Sequence, residues 1–370
     1  VSSSNRFAMR VNEVLKAFVA ERKTQMTQIA PELSALSDEA AALLAGGKRV
    51  RAGFVYWGWQ SVVAAKPGAH HTTGSEIDPG FPPVVKAAAA IELFHAAALV
   101  HDDIIDDSDT RRGRASAHKS FEGMHRDAEW AGDPARWSRS AAILLGDLLL
   151  NWADGLMLDA SREIEHGSAM MDAYRRMREE VTLGQYLDVL EEAAWIRQDP
   201  ELLLQRAQTV AIHKSAKYSV QEPLLLGATI AGAADAQLEA LGGYGLPIGV
   251  AFQMRDDLLG VFGDPEQTGK PAGDDLREGK RTVLIELARQ KLPTNVRVLV
   301  DELLGDPELD GRQVGMLQDA VRSSGAVDRV EHMIERAVGQ GLESLHDGDF
   351  SRSSVLELER LASSVTTRTS

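Results

Sequence analysis

His101-Asp102-Asp103-Ile104-Ile105-Asp106-Asp107-Ser108-Asp109-Thr110-Arg111-Arg112-Gly113 closes an apolar stretch that begins near Val84. From Ala87 to Val100 that stretch is broken only by Glu92 and His95, and it is rich in Ala and Leu, the strongest helix formers. If it is a helix, Asp102 and Asp106 stand at i and i+4 and share one face, with Cβ atoms ~5–6 Å apart. Each carboxylate then reaches a hard cation at ~2.0–2.1 Å, and the pair can hold two cations close together. Five carboxylates fall within the eight residues 102–109. Read alone, such a run is a solvated acidic helix end. Acids at a helix C-terminus oppose the macrodipole, however, and a bound cation would remove that cost.

The same helical reading extends along the chain. Met9, Val11, Val14, Leu15, Phe18 and Val19 recur at helical spacing, as do Leu144, Leu145, Leu148, Leu149 and Trp152. Aromatics make up only 5% of the 370 residues, and period-two alternation is scarce. Turn chemistry clusters at Gly46-Gly47, Lys66 to Pro83, Glu122 to Pro134, Gly263-Asp264-Pro265, Gly305-Asp306-Pro307 and Asp347-Gly348. The two polar insertions, 66–83 and 122–134, read as surface loops. The expected class is all-α, a single large helical bundle over 1–370, in which 296–370 are accessory C-terminal helices without a chemical signature of their own.

Composition narrows the function classes. An apolar content of 44% is ample for a buried core. Lys+Arg 40 against Asp+Glu 55 gives a net charge of −15, which speaks against a nucleic-acid binder. With no Cys there is no disulfide, thiolate zinc site or Cys nucleophile. No uninterrupted apolar run approaches the ~20 residues of a membrane span, and no basic segment followed by an apolar core marks an export signal, so a cytoplasmic enzyme is expected.

A second acidic cluster lies in Phe252-Gln253-Met254-Arg255-Asp256-Asp257-Leu258-Leu259-Gly260, where the i+4 position after Asp256 is a glycine. Asp-Asp at a helix end is common, but two such helices suggest a shared pocket. Carboxylates without Cys or His cages select Mg²⁺ or Mn²⁺ carrying phosphate. Matching cations are present: Gly46-Gly47-Lys48-Arg49-Val50-Arg51 puts Lys48 and Arg51 at i and i+3 beside a flexible turn and a helix N-terminus, which favours an anion. Arg111 and Arg112 follow the first cluster, and Lys214, Lys270 and Lys280 stand near chain breaks.

Taken together, these blocks resemble the trans-isoprenyl diphosphate synthase (polyprenyl synthetase) family over about residues 5 to 295, geranylgeranyl diphosphate synthases in particular. The resemblance rests on 46–51, on 102–113, on Thr182-Leu183-Gly184-Gln185, on His213-Lys214-Ser215-Ala216 and on 252–257. It continues through Phe262 to Pro271 and Asp275 to Thr282. It implies an all-α fold around a deep central cavity and a homodimer. It also implies head-to-tail condensation of isopentenyl diphosphate with an allylic diphosphate (dimethylallyl, geranyl or farnesyl), using three Mg²⁺ ions for which Mn²⁺ can substitute.

Position by position, Asp102, Asp106 and Asp256 resemble the metal ligands, with Asp103, Asp257 and Asp275 supporting them. Gln185 and Asp188 resemble an outer shell. Arg111, Lys214 and Lys270 resemble the allylic diphosphate clamp, and Lys48, Arg51, His95 and Arg112 the isopentenyl diphosphate pocket. Lys280 resembles a residue that closes over the site. Ser215, Gln253 and the Lys214 carbonyl are the oxygen dipoles expected beside an allylic cation. Gly260 departs from the pattern, since many members carry a third Asp there; Ser215 replaces the more usual Thr.

Product length is expected to follow from what blocks the cavity below Asp102. Ala97 and Ala98 are small where the family's C15 synthases carry aromatics, and Phe94 stands about one turn, ~5.4 Å, further down. A mainly C20 product is expected, with C15 or longer products as the alternative. A class I terpene cyclase or a non-catalytic synthase subunit are rivals. The first would not need the Gly-Gly-Lys-Arg-Val-Arg block or Arg112, and the second tends to lose acidic or cationic contacts.

Overall fold

The computed structural model describes residues 3–66, 81–264 and 273–366, in two compact units. Most of the segment expected as a loop at 66–83 lies outside the described residues, as do residues 265–272.

The first unit comprises residues 1–171 together with 226–233. Its elements are α1 (Ser3–Ile29), a 3₁₀ turn (Pro31–Leu33), α2 (Ser34–Leu44), α3 (Val50–Ala65), α4 (Phe81–Ile105), a hairpin of β1 (Thr110–Arg111) and β2 (Arg114–Ala115), α5 (Ala117–Asp127) and α6 (Pro134–Ser161). The helix α5 runs six residues into the stretch expected to be a loop at 122–134. Its apolar side explains why: Phe121 is buried and packs edge-on against Trp137, and Glu122 is held by Arg126 and by Lys119.

The helix α4 is the core of this unit. Ala87 to Ile91, Leu93, Ala97 and Val100 expose essentially no surface. A helix apolar all round is one surrounded by protein, and α3 and α6 pack against it. Small residues allow close approach. A Cβ at Gly146 of α6 would lie 2.1 Å from His101 Nε2, so glycine is what lets this imidazole lie across α6.

α4 and α6 are each long and apolar enough on average to cross a membrane, with mean hydropathy 1.5 over their most apolar windows. An uninterrupted-run criterion passes over them because charged residues are spaced through both. For α4 the apolar surface is accounted for inside the unit, 78% of its window being buried, against 44% for α6.

The second unit comprises 172–225 and 234–370. It holds most of α7 (Gly167–Ala194), a 3₁₀ turn (Trp195–Arg197), α8 (Leu203–Val210), a π-helical segment (Ala211–Gln221), the start of α9 (Glu222–Ile230) and α10 (Asp235–Phe262). After these come α11 (Asp274–Glu278), α12 (Val283–Lys291), α13 (Thr294–Leu303), α14 (Gly311–Ser323), α15 (Ala326–His346) and α16 (Arg352–Thr366). A π-helix is wider than an α-helix and is frequently found at functional sites. Its neighbours make room with glycines: a Cβ at Gly184 of α7 would lie 2.3 Å from Lys214 N, and one at Gly249 of α10 would lie 2.3 Å from Ala216 O.

The C-terminal helices pack against α10. Tyr244 donates to Leu358 O at 2.8 Å, and Arg255 makes a fork to both Glu331 oxygens at 2.6 Å. Leu276, Leu284, Leu317 and Val330 belong to the same buried cluster as Met254 and Leu258.

Candidate active site

The acidic end of α4 is shaped by its own backbone. Asp106 donates its N–H to Asp102 O at 2.8 Å, so the i, i+4 relation persists one residue past the helix. Asp107 then turns left-handed, with φ 51, and Ser108 donates to Asp103 O at 2.9 Å. This is a Schellman stop with aspartate in the place glycine usually takes, a conformation Asp tolerates better than most residues. Asp103, Asp107 and Asp109 each meet a cation of the chain. Asp103 is fully buried and accepts from Arg111 Nε at 2.8 Å, Asp107 accepts from Arg139 at 2.6 Å, and Asp109 pairs with Lys119 at 3.1 Å. Asp103 therefore holds Arg111, whose guanidinium lies 3.6 Å from Asp102 Oδ2. Asp102 and Asp106 remain partly exposed.

Thr110 to Ala115 form a two-residue hairpin in which Arg112 (φ 53) and Gly113 (φ 72) both take positive φ, as a type I′ turn requires. The turn sends the two arginines to different places. Arg111 returns to Asp103, while Arg112 reaches the Gly46-Gly47 turn, where a Cβ on Gly47 would lie 3.3 Å from its Nη1. Arg51 Nη1 lies 3.2 Å from His95 Nε2. Burial, and after it the positive charges of Arg51, Arg112, Arg111 and Arg49, hold the His95 imidazole well below its ordinary pKa. At neutral pH His95 is thus uncharged and accepts from Arg51. Arg51, Arg112 and His95 of the first unit lie near one another, a positively charged setting that attracts an anion.

Two expectations for this region are revised. Lys48 and Arg51 do not share a helix face. Lys48 is exposed and precedes α3, because Arg49 at φ 50 breaks the helical path before Val50. The N-terminus of α3 is also not open to a ligand, since Ala52 N donates to Glu92 Oε1 at 3.2 Å. Arg49 and Glu92 are the structural pair that sequence reading passed over. They are buried and bonded at 3.0 Å, and Arg49 also reaches Asn12 Oδ1 at 2.9 Å and Leu44 O. The available signal was a lone Glu in an apolar helix, since a buried charge requires a partner.

In the second unit, Lys214 of the π segment bonds Asp188 of α7, and Gln185 lies one turn before Asp188 on that helix. Ser215 follows Lys214 and is partly exposed. On α10, Gln253 Nε2 donates to Asp257 Oδ1 at 2.7 Å. Asp256 is partly exposed, whereas Asp257 is buried. Burial, then the charges of Asp275 and Asp256, push the Asp257 carboxyl up to about 8. Lys280 lies 2.5 Å from Glu278 and 4.0 Å from Asp275. Its neighbour Arg281 stacks 3.6 Å over Trp195 and bonds Asp301 at 3.2 Å, which anchors this strip of chain. Lys270 lies outside the described residues. On α4, Phe94 and Ala97 are buried and Ala98, i−4 from Asp102, is partly exposed.

Asp257 makes the metal-free protein pH-sensitive. Between the ordinary value of 3.8 and about 8 the unfolded chain has lost this proton while the folded chain keeps it. Stability must therefore fall as pH rises through that window. Asp257→Asn, assayed by urea unfolding with a chelator at pH 5 and pH 8, is expected to remove this decline; an unchanged slope would contradict it.

The donor set suits Mg²⁺. It is all oxygen, lies at helix ends, and has cations placed beside it. Among the described residues no group of three or more Asp, Glu or His is assembled tightly enough to hold an ion unaided.

Known proteins share this architecture. The solved geranylgeranyl pyrophosphate synthase of Corynebacterium glutamicum, complexed with isoprenyl diphosphate and magnesium, matches with TM-score 0.89 at 36% identity, covering 98% of this chain and 99% of that one. The geranylfarnesyl diphosphate synthase of Natronomonas pharaonis is 32% identical over 81% of this chain and 80% of its own. The geranylgeranyl diphosphate synthase of Methanosarcina mazei is 29% identical with the same coverage. The expected all-α isoprenoid synthase fold holds. A sequence model of the family described as Polyprenyl synthetase matches residues 34–321, so the chain belongs to that family and is a trans-prenyl diphosphate synthase.

Proposed function

We propose that the enzyme elongates dimethylallyl, geranyl or farnesyl diphosphate with isopentenyl diphosphate to a mainly C20 product, with all of 1–370 acting as one catalytic body. The observation that carries this reading is the pairing, within the first unit, of an i, i+4 carboxylate pair with the Arg51–His95–Arg112 cluster. The two features give two anion sites of different kinds, one reached through metal and one through cations alone. A cyclase, with a single diphosphate to bind, has no use for the second.

Bound at Asp102, Asp106 and Asp256, three Mg²⁺ ions, for which Mn²⁺ can substitute, would neutralise a departing diphosphate. The chain's own groups do the rest. Arg111, held by Asp103, sits beside Asp102 to take up charge that develops on the leaving group. Lys214 and Lys270 complete that clamp. Arg51, Arg112, Lys48 and neutral His95 orient the second diphosphate. The Ser215 hydroxyl, the Gln253 amide and the Lys214 carbonyl provide dipoles for an allylic cation. Gln185 and Asp188 form the outer shell, with Asp188 bonded to Lys214, and Lys280 closes the site. The departing diphosphate is the base that accepts the final proton.

Incubation with labelled isopentenyl diphosphate and each primer, with and without Mg²⁺, tests the reading. Mg²⁺-dependent elongation supports it, whereas cyclic hydrocarbon or no turnover refutes it. Ala98 shares a face with Asp102, and one turn further along α4 stands buried Phe94. Ala98→Phe is therefore expected to shift the main product down by one isoprene unit on chromatography; an unchanged distribution would remove α4 from length control. Exposed Leu144 and Ile143 on α6 support a homodimer, and the acidic surface supports a cytoplasmic location.

A further inference from the structure

Lys280 and Arg281 are neighbours on the strip that joins α11 to α12, yet they go to different places. Lys280 faces the acidic end of α10. Its ammonium lies 2.5 Å from Glu278 and 4.0 Å from Asp275, whose carboxylate sits 1.9 Å from where a Cβ on Gly260 would stand. Arg281 turns inward and is 8% exposed, with its guanidinium 3.6 Å from the centre of the Trp195 ring. It also donates to Asp301 Oδ1 at 3.2 Å. The two residues share a planar peptide unit, so a hold on one limits the other. Backbone bonds fix the ends of the strip. Lys280 N donates to Asp275 O at 3.1 Å after the left-handed Gly279, and Thr282 caps α12 by accepting from Ile285 N at 3.4 Å. The Arg281 side chain holds the middle.

Charge alone does not account for Arg281. Arg289 already serves the two acids beside it, bonding Asp301 at 2.7 and 3.0 Å and Glu286 at 2.7 Å, and it lies 4.8 Å from the same indole. Arg281 is a second cation in the same place. Its Nε is buried without an acceptor, and burial, followed by the charge of Arg289, holds its pKa below the ordinary value. Such a group is costly, and an apolar side chain of similar size would fill the volume at least as well. What arginine adds is a flat guanidinium that stacks on an aromatic face and fixes direction as well as distance.

Trp195 ties the strip to the other lysine of this unit. Asp188, Glu191 and Trp195 recur at i, i+3 and i+7, so they continue one face of α7 into the turn that follows it. Asp188 bonds Lys214. Glu191 accepts from Arg206 Nε at 2.8 Å, which holds α8, the helix leading into the π segment, to the same face. The stripe that locates Lys214 therefore ends at the ring that locates Arg281.

We propose that Arg281, stacked on Trp195, is a positioning residue that sets Lys280 in register with Lys214 for the allylic diphosphate. This rests on the reading of both lysines as diphosphate contacts and adds the device that spaces them. Arg281, turned inward, acts through Lys280.

The test is titration calorimetry of inorganic pyrophosphate with Mg²⁺, together with KM for each substrate. Arg281→Leu should weaken pyrophosphate roughly ten- to a hundredfold, the order of loss that follows a small misplacement of a binding group. KM for the allylic substrate should rise with it, while KM for isopentenyl diphosphate, whose cluster lies in the first unit, should not. Trp195→Leu should copy Arg281→Leu, and Trp195→Phe should keep most of the affinity. Arg281→Lys should recover little, because an ammonium lacks the planar stack. In a Lys280→Ala background Arg281→Leu should weaken pyrophosphate no further, since residues that act through one another are not additive. Should Arg281→Leu not fold, the two Trp195 variants, alone and with Lys280→Ala, decide the matter. Unchanged pyrophosphate affinity in Arg281→Leu, a loss undiminished by Lys280→Ala, or an equal rise in both KM values overturns the proposal while the unsubstituted enzyme still binds pyrophosphate and elongates. An unsubstituted protein that does neither, or a Lys280→Ala variant that binds pyrophosphate as tightly as it does, overturns the proposal together with the reading on which it rests.

Discussion

Asp102→Asn is expected to leave a folded protein whose elongation rate falls by roughly 10²–10³-fold or more, the range seen when one group that stabilises transition-state charge is lost. The substitution keeps the size of the side chain and removes the charge that a divalent ion needs. Asp102 is partly exposed at the end of α4, and the backbone bond from Asp106 N to Asp102 O does not involve its side chain, so the helix stop survives. Stability should barely change, because a negative side chain at a helix C-terminus opposes the dipole. Steady-state rates at saturating Mg²⁺, alongside a thermal melt, read both quantities. A variant that keeps full activity would remove this carboxylate from the reaction.

Glu92→Ala should act in the opposite way, through the fold. It strands Arg49, which is buried at the entry to α3, and leaves Ala52 N without its carboxylate acceptor. Removing one partner of a buried ion pair costs about 3–5 kcal/mol, because the remaining charge is left uncompensated. Urea unfolding should show that loss. Activity should fall as well, mainly through KM for isopentenyl diphosphate, because Arg49 sets the turn between the Gly46-Gly47 loop and Arg51. Glu92→Gln keeps one hydrogen bond and should lose less. Unfolding curves that coincide with those of the unsubstituted protein would show that the pair contributes little.

Much of this was legible in the chain. The apolar run ending in the 101–113 motif specified a buried helix and its acidic end, because helix periodicity and helix-stop chemistry are local. The partnership of Lys214 with Asp188 was not, because the motifs place the two in different roles and only their packing brings them into a bond. The hairpin at 110–115 was less visible, since it depends on positive φ at a single non-glycine residue, Arg112. A π-helix at 211–221 leaves no period in the sequence to find, because what permits it is glycine on the neighbouring helices α7 and α10.

The sequence by itself determined the helical class, the two aspartate-bearing helices and the family, since each is a matter of residue type at fixed spacing. Only the tertiary structure decided that Asp103 serves Arg111, that Glu92 occupies the start of α3 instead of leaving it to an anion, and that Asp275 sits over Gly260. Those assignments join residues from different elements of the same unit. Which of several nearby charges meets which is set by burial and backbone approach, and neither is written in the spacing of the chain.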